Sequence, residues 1–306
     1  MKKTSVVAAG LVFAAVPLIG YGFIRKLVSS LIDVNSENPF NDDMSKASDY
    51  DLNVRSSRWA EQQNMETVTI LSKDKTRLVG HLLEVPNAQR IMIMFHGWRT
   101  TWKSDCAKIG KPLSKLGCSI LFAEERGQGL SGGKYMTMGV KERYDVLAWS
   151  RYIDSRYEGK YPIYLHGISM GATSVLMAGE FNLPTNVKGI IADSGYTTPK
   201  AIVTKLAGNS GTAKAAIYLG GLRISRIAGF KLDEADAREA LKKCKVPVLF
   251  IHGSEDCVVP CSMSKENYAA CNSRKSIYIC EGAGHGLSFY SDRTAYINKI
   301  VEFFDW

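Results

Sequence analysis

The stretch of sequence with the clearest chemistry is His166-Gly167-Ile168-Ser169-Met170-Gly171. It follows an apolar run, Pro162–Leu165, and opens a segment rich in small residues, among them Gly171, Ala172 and Ser174. A G-x-S-x-G pattern set between a strand and a helix puts the serine on a sharp turn. The flanking glycines let that turn strain and pack closely. The turn lifts the Ser169 hydroxyl clear of the sheet and sets a helix N-terminus beneath it, where free N–H groups favour a developing negative charge. This is an arrangement for a nucleophile.

A serine hydroxyl attacks poorly until a base takes its proton. The sequence offers five histidines. His81 lies in an early strand, and His96, His166 and His252 each end a strand, precede a glycine and are expected to pack at strand tips. His285 remains, in the glycine-rich loop Glu281-Gly282-Ala283-Gly284-His285-Gly286 after the last strand, and is the expected base. An imidazole in that role needs a carboxylate to fix its tautomer and stabilise its charged form. Asp256, in the loop after Val246–Ile251, is the expected partner. Glu255 beside it is one rival, and Asp193, which ends the preceding strand, is another. Asp193 also reads as a structural acid. For the oxyanion of a tetrahedral intermediate, the backbone N–H groups of Met170 and Trp98 are the expected donors. Gly97 would let the chain turn so that the Trp98 N–H points inward.

The elements that must position these groups follow from apolar patterning. Glu66–Leu71 and Arg77–Val85 read as two antiparallel strands joined by the turn at Ser72–Thr76. Short β-branched or aromatic runs then alternate with helical patterns. The runs are Arg90–Phe95, Cys118–Ala123, Pro162–Leu165, Val187–Ala192, Val246–Ile251 and Ser276–Cys280, as expected of strands buried on both faces. The helical patterns are Lys103–Leu116, Val140–Tyr157, Met170–Phe181, Ser262–Cys271 and Thr294–Phe304. This alternation predicts a mostly parallel sheet covered on both sides. One interval, Ser194 to Lys242, is too long for a single crossover and predicts a helical cap at about 195–241. One long helix plus a loop is the alternative.

The first part of the chain differs. Ser5–Ile24 carries no charge, with Lys2 and Lys3 before it and Arg25 and Lys26 after it. About 20 apolar residues suffice to span a hydrocarbon core. Residues 1–27 are therefore read as an uncleaved membrane anchor, with a cleaved signal or a buried helix as alternatives. Gly20-Tyr21-Gly22 is a poor imitation of a cleavage site. The short N-terminal side favours a single pass with the catalytic domain extracytoplasmic. Residues 28–65 read as a polar tether with one short helix, and 66–306 as the folded domain.

Over about residues 66–306 the chain resembles the α/β-hydrolase superfamily. Within it, the sequence is similar to membrane-anchored bacterial hydrolases of the serine-aminopeptidase-like and monoacylglycerol-lipase-like group. The matching stretches are MFHGWRTT, ERGQGLSGG, HGISMGA, VPVLFIHGSEDCVVP and GAGHG. The resemblance implies an α/β-hydrolase fold with an eight-stranded, mostly parallel sheet, helices on both faces and a short helical cap. It also implies a Ser–Asp–His triad on Ser169, Asp256 and His285, in the chain order this superfamily uses. One position departs: relatives usually have Asp two residues before the Arg of the R-G-x-G-x-S motif, and Glu124 stands there.

These residues point to a serine hydrolase that cleaves a small-molecule ester or amide and needs no metal or organic cofactor. An aminopeptidase-like amide hydrolase and a catalytically silent binding protein are the alternatives. The 306 residues, 45% hydrophobic and 23% charged, exclude disordered, collagen-like and coiled-coil classes. A net charge of +9 without aromatic-interleaved basic stripes or zinc-finger spacing argues against nucleic acid. Gly127-Gln128-Gly129-Leu130-Ser131-Gly132 fits a dinucleotide fingerprint but does not open a helix, so NAD is not expected. The seven cysteines, four of them between Cys257 and Cys280, include no C-x-x-C pair. They read as buried thiols, with a disulfide in that cluster as the alternative.

Overall fold

A computed structural model describes residues 22–36 and 50–306 of the chain. Eight strands form one sheet: β1 (Glu66–Leu71), β2 (Arg77–Leu83), β3 (Arg90–Phe95), β4 (Cys118–Ala123), β5 (Ile163–Ile168), β6 (Val187–Asp193), β7 (Val248–Gly253) and β8 (Lys275–Cys280). Their spatial order is β1-β2-β4-β3-β5-β6-β7-β8. β2 is antiparallel to both β1 and β4, and every other neighbouring pair is parallel. This is the expected eight-stranded, mostly parallel sheet.

The sheet is buried on both faces because its strands alternate between two cores. In β3, Ile91, Ile93 and Phe95 pack into the core on one face, with Trp149 and Leu176, while Met92 and Met94 join the other, with Ile109, Tyr296 and Ile300. Successive side chains of a strand point to opposite faces, so an unbroken apolar run is what a doubly covered strand requires. The helices Glu142–Arg156 and Met170–Ala178 cover the first face, and Ala107–Lys115 and Arg293–Phe304 the second.

Most boundaries agree with the patterning, and the differences have physical causes. β5 runs to Ile168, three residues past the expected Leu165, because ladder pairing with β6 continues through Ile168↔Asp193. The expected helix Lys103–Leu116 is two pieces, Trp102–Asp105 and Ala107–Lys115. The break leaves the Asp105 carboxylate turned to the Gly97 N–H at 2.9 Å and the Thr100 hydroxyl at 2.6 Å. Between β6 and β7 stand three helices, Pro199–Ala207, Gly211–Ala228 and Ala237–Lys243. The first two form the cap.

The segments read as anchor and tether carry two helices among their described residues, one at 22–32 that crosses the expected boundary at 27/28 and one at Tyr50–Glu61. The first is docked: Val28 and Ile32 are buried in the core. Arg99 clamps its C-terminal end, donating to the carbonyls of Ser30 at 3.1 Å, Asp33 at 2.7 Å and Ser36 at 2.7 Å. A cation there satisfies carbonyls that lack helical partners. Among the described residues no helix is long and apolar enough to cross a membrane. The run Ser5–Ile24, on which the anchor expectation rests, lies mostly outside them. All seven cysteines are free thiols. No group of His, Cys, Asp and Glu among the described residues is arranged to hold a metal ion.

Candidate active site

Parallel strands end on the same edge of a sheet. The loops after β3, β5, β7 and β8 therefore meet there, bringing Trp98, Ser169, Asp256 and His285 into one region. Ser169 joins β5 to the helix Met170–Ala178 with φ of 54° and ψ of −112°, a conformation rarely adopted by residues other than glycine. Its neighbours hold it in that shape. The Ser169 N–H donates to the Asp193 carbonyl at 2.8 Å, and the Ser169 carbonyl accepts the Thr173 N–H at 3.0 Å. A Cβ on Gly171 would lie 2.3 Å from the Phe95 carbonyl oxygen, so the helix can approach β3 only with glycine there.

The His285 imidazole bridges the other two side chains. Its Nε2 is 2.9 Å from Ser169 Oγ, and its Nδ1 is 2.7 Å from Asp256 Oδ2. Asp256 Oδ1 accepts the N–H groups of Val258 at 2.9 Å and Val259 at 2.8 Å. Burial acts to raise the Asp256 carboxyl pKa. Hydrogen bonds from His252 and His285 outweigh that and hold it well below the ordinary carboxylate range. Asp256 is thus an anion facing His285 Nδ1, and the ring nitrogen turned to Ser169 is left to accept a proton.

The rival acids are elsewhere. Glu255 is exposed. Asp193 is buried among other partners, accepting from Ser194 Oγ at 3.0 Å and Tyr296 OH at 3.2 Å, and burial raises its pKa. The remaining histidines are also occupied. His81 pairs with Glu124 at 2.8 Å. His96 Nε2 accepts the Glu125 N–H at 3.1 Å, and burial lowers the pKa of this ring. His166 meets Tyr296 OH at 2.9 Å. His252 is fully buried beside Asp256, a contact that strand-tip packing did not foretell.

Of the two expected oxyanion donors, Met170 directly follows Ser169 and Trp98 stands in a loop beside it. Met170 is the first residue of its helix, so its N–H belongs to the helix start that lacks intrahelical partners. The loop of Trp98 is close: a Cβ on Gly97 would be 3.4 Å from Ser169 Cβ. Asp105 pins this loop from one side. On the other, the Trp98 indole N–H donates to the Leu31 carbonyl at 2.9 Å. Neither Asp105 nor Leu31 was foreseen as part of the site, since nothing in their local sequence marks them.

The E-R-G-Q-G motif is a clasp. The Arg126 guanidinium makes two 2.6 Å bonds to Asp145 and reaches Asp74 at 2.8 Å. Glu124 accepts from the Leu130 N–H and from His81, so the longer acid closes the Gly127–Gly132 loop itself. That loop opens no helix; the next begins at Glu142.

A serine on a strained strand–turn–helix at the C-terminal edge of this sheet, with a cap between β6 and β7, defines an α/β-hydrolase. Residues 109–306 match the prolyl oligopeptidase family, and the chain belongs to that family of hydrolases. It is 25% identical over 192 residues to the uncharacterized protein YqkD of Bacillus subtilis (strain 168), an alignment covering 62% of this chain and 63% of YqkD. It is also 25% identical over 224 residues to lysophosphatidylserine lipase ABHD12 of Danio rerio, covering 69% of this chain and 54% of that protein. The chain thus spans less than two thirds of either relative's length. Among solved structures its fold is similar to that of the Pyrococcus furiosus esterase Pf2001, with 21% identity and a TM-score of 0.65 over 80% of this chain and 93% of that one.

Proposed function

We propose that the protein is a serine hydrolase that cleaves carboxylic esters through an acyl-enzyme. The reading rests on one arrangement, the His285 ring held between Asp256 Oδ2 at 2.7 Å and Ser169 Oγ at 2.9 Å. His285 Nε2 takes the hydroxyl proton as Ser169 Oγ bonds to the ester carbonyl carbon. The carbonyl oxygen becomes an oxyanion facing the Met170 and Trp98 N–H groups. Each such donor is worth about 10²–10³ in turnover. The intermediate then collapses, the bond to the leaving oxygen breaks, and His285 gives that oxygen the proton. Water repeats the sequence on the acyl-enzyme and frees Ser169. Asp256 stays ionised throughout, fixing the tautomer of His285 and stabilising the imidazolium.

The curated relative that acts on a lysophospholipid and the esterase of similar fold favour an ester. Membership in the prolyl oligopeptidase family favours the second reading, an aminopeptidase-like amide hydrolase. A panel of p-nitrophenyl esters of increasing chain length beside aminoacyl amides separates the two. A fluorophosphonate probe tests the nucleophile: wild type labels and Ser169→Ala does not. Equal labelling of both rejects Ser169.

The same reading includes the N-terminal segment. Residues Ser5–Ile24 act as a single-pass anchor with the catalytic domain extracytoplasmic. Full-length protein is expected to resist carbonate extraction, and protein lacking residues 1–27 is expected to be released.

A further inference from the structure

The cap helix Gly211–Ala228 buries a single narrow stripe, Gly220, Ile224 and Ala228. A helix lying on a protein in water carries polar and charged residues on its outward side. This one carries Tyr218, Leu219 and Leu222 there, each at least half exposed at 67%, 50% and 55%. Leu206 on the neighbouring cap helix is exposed too, as are Phe23 and Leu27 on the helix at 22–32. These helices form one surface, since a Cβ on Gly220 would touch Val28 at 3.4 Å. The apolar tips are therefore gathered on one face of the molecule.

The charge is equally one-sided. From Ser194 to Leu232 the chain has four lysines, two arginines and no carboxylate, and Arg25 and Lys26 lie on the adjoining helix. Lys200, Lys214 and Lys231 share a groove of about 600 Å³ with Tyr218 and Leu222. Asp233, 3.9 Å from Lys200, reaches its rim. Apolar tips set among cations are the pattern of a helix that lies in a lipid interface. There, each basic residue near an anionic leaflet contributes about 1 kcal/mol.

We propose that the face formed by the helix at 22–32 and the two cap helices docks on a lipid bilayer containing anionic phospholipid. Two features select this occupant. A second copy of the chain would set the same positive charge against itself. The apolar run Ser5–Ile24 also joins in sequence to the helix at 22–32, which forms part of this face. Beneath the surface lies an apolar cavity of about 240 Å³, bounded by Leu27, Leu31, Ile217 and Ile224. Leu31 is the residue whose carbonyl holds the Trp98 indole, so the cavity adjoins the loop beside Ser169. The proposal does not depend on the triad, and it takes from the proposed function only the apolar run Ser5–Ile24.

The test uses the full chain with vesicles of equal parts phosphatidylcholine and phosphatidylglycerol, with or without bromine on the acyl chains. Leu222→Trp places an indole at the centre of the face, and Leu116→Trp places one at the opposite end of the strands. Flotation reports whether the chain reaches the bilayer, and bromine quenching reports which surface faces it. The expected result is flotation with quenching of the added indole at 222 about twofold or more beyond that at 116. Flotation with equal quenching overturns the docking while leaving the anchor, and covers a face occupied by residues 1–21 or by a second copy. Failure to float overturns both. Lys205→Glu with Lys214→Glu, in the Leu222→Trp background, should lose the extra quenching in these vesicles. Unchanged quenching overturns the role of anionic lipid.

Discussion

His252 Nε2 lies 3.1 Å from Asp256 Oδ2, the same oxygen that holds His285 Nδ1 at 2.7 Å. His252 Nε2 is also 2.9 Å from the Val259 carbonyl, which can only accept, so the hydrogen-bond network assigns the proton to that nitrogen. Nδ1 then accepts from Ser264 Oγ at 2.7 Å. Asp256 is therefore gripped by two backbone N–H groups on one oxygen and two imidazoles on the other.

His252 acts as a positioning residue. His252→Leu removes one of the two imidazoles held on Asp256 Oδ2, so turnover should fall about tenfold with KM little changed as Asp256 loosens. His252→Gln keeps a donor and should restore most of the turnover. Turnover unmoved in both variants would remove His252 from this role.

Asp256→Asn keeps the shape of the loop but presents the wrong tautomer to His285. Turnover should drop on the order of 10⁴, with the circular dichroism spectrum unchanged. Glu255→Gln, at an exposed position, should leave turnover close to wild type. A nearly normal rate in Asp256→Asn would move the acid elsewhere.

Gly171→Ala drives a methyl group against the rigid Phe95 carbonyl at 2.3 Å, and neither β3 nor the helix can yield without shifting Ser169. A loss of about 3 kcal/mol or more is expected in urea denaturation. Gly282→Ala is the contrast. It has φ of 71° but nothing within 4 Å, and should cost about 1 kcal/mol from backbone strain alone.

Burial, with the Lys108 charge adding to it, pushes His166 down to about 3 from an ordinary 6.5. Between these values the unfolded chain binds a proton that the folded chain does not. His166 therefore does not weaken the fold above about pH 6.5, and lowers its stability as pH falls below that, by up to about 1.4 kcal/mol per unit. Urea midpoints measured between pH 6.5 and 4 should fall more steeply for wild type than for His166→Gln. Equal slopes would mean that the folded protein protonates this ring.

Much of the fold was legible because strand and helix signals are local. The mostly apolar runs of β3 and β4 required cover on both faces, and both strands begin where the patterning placed them. The Ser169 turn was legible for the same reason, since small residues around a serine between strand and helix leave few other geometries. The split of Lys103–Leu116 was not legible, because its cause is the Gly97 loop receiving Asp105. Nor was the docking of the helix at 22–32, whose polar neighbours read as a tether while Val28 and Ile32 found a core made by distant segments.

The residue types at Ser169, Asp256 and His285, and their places after β5, β7 and β8, were determined by the sequence itself. Strand periodicity and turn chemistry act over a few residues. Which carboxylate meets His285 was decided only by the tertiary structure. So were the second imidazole that holds that carboxylate and the helix that supports the Trp98 loop. Those choices depend on the order β3-β5-β6-β7-β8, which sets loops more than a hundred residues apart side by side at one sheet edge. Adjacency of that kind is a property of packing, and no local spacing encodes it.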